Sequence, residues 1–142
     1  MKRLVPKEER VSKLIEFGAP KHFVENIGKI PELEFRIEKV DGAYFYLPTI
    51  SSYSILKDFN VVPIYNEGDS LRVLTYNDNI YKIFHFELEN DEIYTDYGTN
   101  WDLLLMDIMI QYFEDEIDSF VTLCRDGVEE DGNLFKVLDL MR

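Results

Sequence analysis

The stretch that decides the fold is residues 71–88, which read Leu-Arg-Val-Leu-Thr-Tyr-Asn-Asp-Asn-Ile-Tyr-Lys-Ile-Phe-His-Phe-Glu-Leu. Its β-branched and aromatic residues are typical of strands, and Asn77-Asp78-Asn79 supplies the polar residues of a short hairpin turn. We therefore predict two antiparallel strands, Leu71–Tyr76 and Ile80–Leu88. Side chains alternate along the second strand: one face carries Ile80, Phe84, Phe86 and Leu88, and the other carries Tyr81, Ile83, His85 and Glu87.

Further strands are predicted upstream of this hairpin. Val61–Tyr65 is apolar and β-branched, and Pro63 within it favours an edge strand or a bulge because proline has no N–H to donate. Leu33–Val40 alternates apolar and charged residues, and Asp41-Gly42 is a tight-turn dipeptide. Ala43–Leu47 then reads as a second strand, so the pattern predicts another hairpin there.

Helical patterns flank the strands. The remaining predicted elements are a helix from Pro6 to Gly18, a helix over Lys21–Ile27, a short helix within Ile50–Phe59, a short strand over Ile93–Thr95, a long helix capped by Thr99 or Asn100, and a closing helix over Leu134–Met141. A narrow polar stripe runs along the long helix through Asp107, Gln111, Glu114, Asp115 and Asp118. The order predicts an α+β fold: one domain over residues 1–142, with an antiparallel or mixed sheet, two N-terminal helices and a long C-terminal helix packed against it.

Acidic residues dominate the charge of the chain. There are 28 acidic and 15 basic residues, a formal net charge of −13. Residues 83–124 hold eleven acidic residues and neither lysine nor arginine. Direct binding to nucleic acid or to anionic membranes is disfavoured, since both need a dense basic surface. No secretory signal or apolar span of roughly 20 residues is visible, and Cys124 is the single cysteine, so a cytoplasmic location is expected.

Motifs for catalysis or for a cofactor are missing from the sequence. It contains no nucleophile elbow, P-loop, dinucleotide fingerprint or zinc-ligand spacing, so we predict neither an enzyme nor a cofactor. His85 beside Glu87 leaves open a carboxylate-based or metal-dependent site, although an ordinary strand histidine is the simpler interpretation. Cys124 follows an acidic helix, which favours a packed thiol over a reactive one.

The best candidate for a binding surface is the acidic stretch that follows the last long strand. Paired carboxylates can hold a divalent cation, but the ligand order and the glycine of a calcium loop are absent. The alternatives are a solvated acidic surface and a surface for a protein partner, where exposed tyrosine is favoured. The predicted partner-binding residues are Glu87, Glu89, Asp91, Glu92, Tyr94 and Asp96.

Three stretches of sequence resemble the SUKH superfamily, which includes bacterial immunity proteins and yeast glucan-synthesis regulators linked to killer-toxin resistance. Residues 19–27, Ala-Pro-Lys-His-Phe-Val-Glu-Asn-Ile, are similar to the family's early proline-started helix. Residues 62–69, Val-Pro-Ile-Tyr-Asn-Glu-Gly-Asp, are similar to its strand and glycine turn, and residues 100–105, Asn-Trp-Asp-Leu-Leu-Leu, to the start of its final helix. The resemblance implies an α+β fold without enzymatic activity.

The resemblance also implies two roles. One is a cytoplasmic immunity protein that binds and neutralises a toxin, in which case the acidic residues suit a basic toxin surface. The other is a regulatory adaptor of cell-wall glucan synthesis or of signalling, with endogenous partners. A metal-dependent enzyme around His85 and Glu87 is the third hypothesis.

Overall fold

The computed structural model describes residues 2–26 and 40–112 and shows an α+β fold. Its helices are α1 (Lys7–Glu16), α2 (Lys21–Asn26), α3 (Asp41–Tyr46) and α4 (Trp101–Tyr112), and its strands are β1 (Arg3–Leu4), β2 (Asn60–Glu67), β3 (Ser70–Asn77), β4 (Ile80–Glu87) and β5 (Thr95–Gly98). The strands form one mixed sheet in chain order. β1 pairs with β2 in parallel, and the later neighbours pair antiparallel.

Two tight hairpins form the centre of the sheet, and the one between β3 and β4 confirms the prediction from residues 71–88. β2 and β3 are joined at Gly68-Asp69, and β3 and β4 at Asp78-Asn79. Gly68 and Asp78 have φ angles of 57° and 53°, a left-handed conformation that glycine and aspartate tolerate better than other residues. Of the two alternatives predicted for Pro63, the structure shows the bulge, because the register between β2 and β3 shifts between Pro63 and Tyr65 while β2 lies between β1 and β3.

The sheet has a hydrophobic cluster on each face. Leu74 and Ile83 point to the cluster that α1, α2 and α4 cover, and we call this side the α4 face. Val73 and Phe84 point to the cluster that α3 and the segment after it cover, which we call the α3 face. The alternation predicted for β4 is therefore correct, and burial on both faces fixes the register of the strand.

The start of α4 is positioned by capping and by a contact with α1. Asn100 is the cap, since its Oδ1 accepts a hydrogen bond from the Leu103 N–H at 3.2 Å. The Trp101 Nε1 donates to the Phe17 carbonyl at 3.1 Å, at the end of α1. The adjacent Gly18 has a φ of 91°, so it turns the chain immediately after the helix.

The predicted turn at Asp41-Gly42 and strand Ala43–Leu47 are wrong, because these residues form α3 and the start of a 3₁₀ helix, Leu47–Ile50. Ala43 and Leu47 are buried whereas Phe45 is 73% exposed, the spacing of a helix rather than a strand. Asn66 explains the difference, since its Oδ1 accepts a hydrogen bond from the Ala43 N–H. A Cβ at Gly42 would lie 2.5 Å from Asn66 Nδ2, so glycine permits this close contact.

The short helix predicted within Ile50–Phe59 is also wrong beyond Ile50, because the chain continues as successive turns. The Asp91 carboxylate accepts hydrogen bonds from the N–H groups of Ser54 and Ile55, and so competes with helical hydrogen bonding. The predicted strand Ile93–Thr95 begins later, at Thr95, because the residues from Asp91 to Tyr94 form an irregular turn.

Several predictions lie outside the described residues. They are the body of the strand Leu33–Val40, the helix Leu134–Met141, Cys124, and the polar-stripe residues Glu114, Asp115 and Asp118. Within residues 2–26 and 40–112, no helix combines the length and the apolar composition that crossing a membrane requires.

Candidate functional site

The predicted partner-binding residues lie in residues 87–96, which we call the acidic turn. The turn leaves β4 at Glu87, crosses the end of the sheet and enters β5 at Thr95. Its carboxylates fall into two groups. Some hold the turn in place through hydrogen bonds and ion pairs, and others project into solvent.

Asp91 attaches the acidic turn to the segment after α3. Its carboxylate accepts hydrogen bonds from Ser54 N–H at 2.8 Å, Ser54 Oγ at 3.0 Å and Ile55 N–H at 3.2 Å. The Ser54 backbone hydrogen bond and these neighbours hold the pKa of Asp91 below its ordinary value. The Tyr53 hydroxyl also donates to the Leu88 carbonyl at 2.8 Å. Asp91 therefore has a structural role in holding the turn, and its part in partner binding stays a prediction.

Glu87 and Asp96 are also engaged by neighbouring residues. Ser70 Oγ donates to the Glu87 carboxylate at 3.0–3.1 Å, across the β3–β4 pair. The Asp96 carboxylate accepts a hydrogen bond from the Gly98 N–H at 2.8 Å and lies 3.4 Å from Lys82 Nζ. Glu87 is partly accessible and Asp96 is exposed, but both carboxylates already accept hydrogen bonds, and Lys82 offsets the charge of Asp96.

Glu89, Glu92 and Tyr94 form the outward-facing part of the acidic turn. No hydrogen bond or ion pair joins either glutamate to another residue of the described part of the chain. Tyr94 is 71% exposed, although its ring packs against His85 with the centroids 5.1 Å apart. A small cleft of about 160 Å³ opens here among Glu87, Asn90, Glu92, Ile93 and Tyr94.

A buried arginine network lies below the acidic turn, and sequence reasoning missed it. Arg72 of β3 is fully buried on the α4 face. Its Nε donates to Tyr97 Oη at 3.3 Å, and its Nη2 lies 3.2 Å from Asp107 Oδ2 and 3.3 Å from Gln111 Oε1. The guanidinium carbon also lies 5.7 Å from the centre of the Tyr65 ring, within cation–π range.

Asp107 is the carboxylate at the centre of this network. The Tyr97 hydroxyl donates to its Oδ2, and Gln111 Nε2 donates to its Oδ1 at 2.7 Å. Burial alone would raise the pKa of Asp107, but the hydrogen bonds from Tyr97 and Gln111 and the charge of Arg72 together lower it. At Asp107 and Gln111, the polar stripe predicted on the long helix therefore supplies acceptors for the buried Arg72.

His85 lies between the network and the surface, covered by Tyr94. It is 2% exposed, and its Nε2 lies 3.1 Å from Glu87 Oε1. Neither ring nitrogen is aligned for a hydrogen bond with a described group. Burial and then the nearby Arg72 charge hold the pKa of His85 below 6.5, against the opposing influence of Glu87 and Asp107. His85 is therefore neutral in the folded protein near pH 7.

We expect the free energy of unfolding to fall as pH drops below about 6.5, because the unfolded chain then binds a proton at His85 and the folded protein does not. The loss should continue down to the folded-state pKa of His85, with a slope of at most about 1.4 kcal/mol per pH unit from this residue. Urea unfolding between about pH 7.5 and about pH 5.5 measures it above the range where most carboxylates titrate.

The matched variants are His85→Gln and His22→Gln, which remove the two histidines one at a time. The first should flatten the pH dependence in this window, and the second should leave the His85 component in place. An unchanged slope in the His85→Gln protein would show that His85 does not titrate as described.

The third hypothesis, a metal-dependent site at His85 and Glu87, gains little from this arrangement. The two side chains do lie together, as predicted, but Tyr94 covers the histidine. Across residues 2–26 and 40–112, no group of three or more histidine, cysteine, aspartate or glutamate side chains is placed to hold a metal ion.

Comparison with known proteins does not identify a relative. No family model matches the chain, and no significant match exists among curated proteins or among solved structures. The function must therefore be argued from the site itself.

Proposed function

We propose that the protein is a non-enzymatic, protein-binding domain of the immunity type, which neutralises a toxin by covering a basic surface with the acidic turn. The observation that carries this proposal is the exposure of Glu89, Glu92 and Tyr94 on a turn that Asp91 and Tyr53 hold in place. A turn ordered before binding loses less conformational entropy when the partner arrives. An exposed tyrosine adds a large contact area at low entropic cost.

The charge around the turn supports a basic partner. Residues 83–112 contain seven acidic residues and neither lysine nor arginine. Lys82, which precedes this segment, is paired with Asp96. Uncompensated carboxylates speed the association of a basic partner and disfavour acidic ones. The SUKH resemblance of the sequence supports the same role.

The experiment is affinity capture from the native host with a charge-reversed variant, Glu89→Lys/Glu92→Lys. The matched control is Glu8→Lys/Glu25→Lys, which changes the net charge equally but lies on α1 and α2. The wild type and the control should capture a basic protein, whereas the turn variant should lose at least about tenfold in affinity for it. Equal binding by all three proteins, or no basic partner at all, would contradict the proposal.

A regulatory adaptor is the alternative role, and the response to salt distinguishes it. Binding through the acidic turn should weaken sharply between about 50 mM and about 500 mM NaCl, because exposed charges are screened over a shorter distance at high salt. A captured partner whose affinity hardly changes across this range would favour the adaptor.

A further inference from the structure

A second, larger cleft lies beside the acidic turn on the α3 face. It has a volume of about 430 Å³, within the range of sites that accommodate small ligands or side chains. Its lining is mostly apolar and includes Ile55, Phe59, Ile80, Phe84 and Ile93. Ile80 lies at its rim and is 81% exposed, so its side chain is accessible to a ligand.

Ile93 connects this cleft to the acidic turn. The residue lines the apolar cleft and also the small cleft formed with Glu87, Asn90, Glu92 and Tyr94. Its backbone lies in the turn that Asp91 fixes through Ser54 and Ile55. The apolar and acidic surfaces are thus neighbours on one ordered part of the molecule.

The balance of charge at this surface is negative. Lys82 lines the apolar cleft, but its Nζ is 3.4 Å from Asp96 Oδ2, so the pair is close to neutral. Glu89 and Glu92 have no such cation among the described residues. A ligand that fits both parts would need an apolar group for the cleft and a positive charge for the turn.

We propose that the two clefts form one binding surface for a basic protein segment that carries an apolar anchor. The anchor, an aliphatic or aromatic side chain, enters the cleft at Phe84 and Ile93, and flanking lysine or arginine residues contact Glu89 and Glu92. This inference rests on the proposed protein-binding function and adds the chemistry of the partner segment. The apolar anchor contributes affinity through burial, and the flanking charges select the partner.

The surface can be tested without the partner, by NMR of isoleucine methyl groups in the full chain. The probes are 4-phenylbutylamine, which combines an apolar group with a cation, 4-phenylbutyrate, which has the same apolar group with an anion, and spermidine, which has charge alone. The amine should shift the methyl signals of Ile55, Ile80 and Ile93 with a millimolar dissociation constant. Ile15 and Ile108, which pack on the α4 face, should not shift.

Matched variants separate the two parts of the surface. Glu89→Gln/Glu92→Gln should weaken binding of the amine at least about threefold, whereas Glu8→Gln/Glu25→Gln should not. Ile80→Ser should weaken it as well, whereas the control Ile110→Ser, another exposed isoleucine, should not. Both isoleucines are exposed, so these substitutions leave the core intact.

Three results would overturn the inference. They are binding of 4-phenylbutyrate as tight as that of the amine, the same methyl shifts with spermidine, and no shift at Ile55 and Ile93 with the amine. Failure of the proposed function has a different signature. If the amine binds as described but no basic protein is captured from the host, the surface stands and the immunity role fails.

Discussion

Replacing Asp107 with alanine should lower the free energy of unfolding by about 3 kcal/mol, because Arg72 would remain charged in the interior without this carboxylate. Breaking a buried ion pair by removing one partner typically costs about 3–5 kcal/mol. We expect a loss at the lower end of this range because the Asp107 side chain is 24% exposed, so water can solvate part of the charge that Arg72 is left with. Tyr97 and Gln111 would lose a hydrogen-bond acceptor at the same time.

Arg72→Met and the double variant Arg72→Met/Asp107→Ala complete a thermodynamic cycle. Methionine fills much of the arginine volume but has no charge. The double variant therefore removes both charges of the pair and leaves no unpaired charge in the interior. Its loss should be smaller than the sum of the two single losses by about 1–3 kcal/mol. Urea unfolding at constant pH measures all three, and Asp69→Ala, on an exposed turn, should change stability by less than about 0.5 kcal/mol. Additive losses in the cycle would show that the two side chains are not coupled.

Local patterns predicted the centre of the sheet well. β2, β3 and β4 alternate or are rich in β-branched and aromatic residues, and their turns contain Gly68 and Asp78. Both strand and turn depend on interactions within a few residues, so neighbouring sequence carries the information. The caps of α4 and α1, at Asn100 and Gly18, are local for the same reason.

The errors occur where a distant side chain decides the local structure. Asp41-Gly42 has the composition of a hairpin turn, but Asn66 binds the backbone of Ala43 and the segment becomes helical. Asp91 has a comparable effect on Ser54 and Ile55, 37 and 36 residues earlier. A sequence read in short windows gives no sign of either contact.

The candidate site was predicted only in part, again because contacts between distant residues decide what each side chain does. Composition located the acidic turn, but it could not separate Asp91, which holds the turn, from Glu89 and Glu92, which face solvent. Arg72 escaped notice because its partner Asp107 lies 35 residues away. The sequence did contain one signal for a buried charge. Arg72 is the charged residue on a face of β3 that otherwise carries the apolar residues Leu74 and Tyr76.

Arg10 is the second position where we expect a large loss of stability. β1 pairs with β2 only at Asn60 and Val61, and the bulge follows at Pro63. Beyond this short pairing, Arg10 Nε donates to the Pro63 carbonyl at 2.6 Å, and Nη2 donates to the Ile64 carbonyl. The Arg10 guanidinium, on α1, therefore supplies at the bulge the hydrogen-bond donors that a neighbouring strand would otherwise provide. Burial lowers the pKa of Arg10 to about 10, while the nearby Tyr44 opposes this effect, so the side chain is charged at neutral pH.

Arg10→Met should therefore lower the free energy of unfolding by about 2–6 kcal/mol, since each of the two buried carbonyls left without a donor costs about 1–3 kcal/mol. Arg10→Lys should recover little of this loss, because an ammonium group cannot reproduce the planar fork of donors that reaches two carbonyls. Lys7→Met is the control on the same helix. Its ion pair with Asp41 is exposed, so its loss should stay below about 1 kcal/mol in the same urea series. If Arg10→Met were no more destabilising than this control, solvent rather than Arg10 would satisfy the bulge, and the edge of β2 would be open to water.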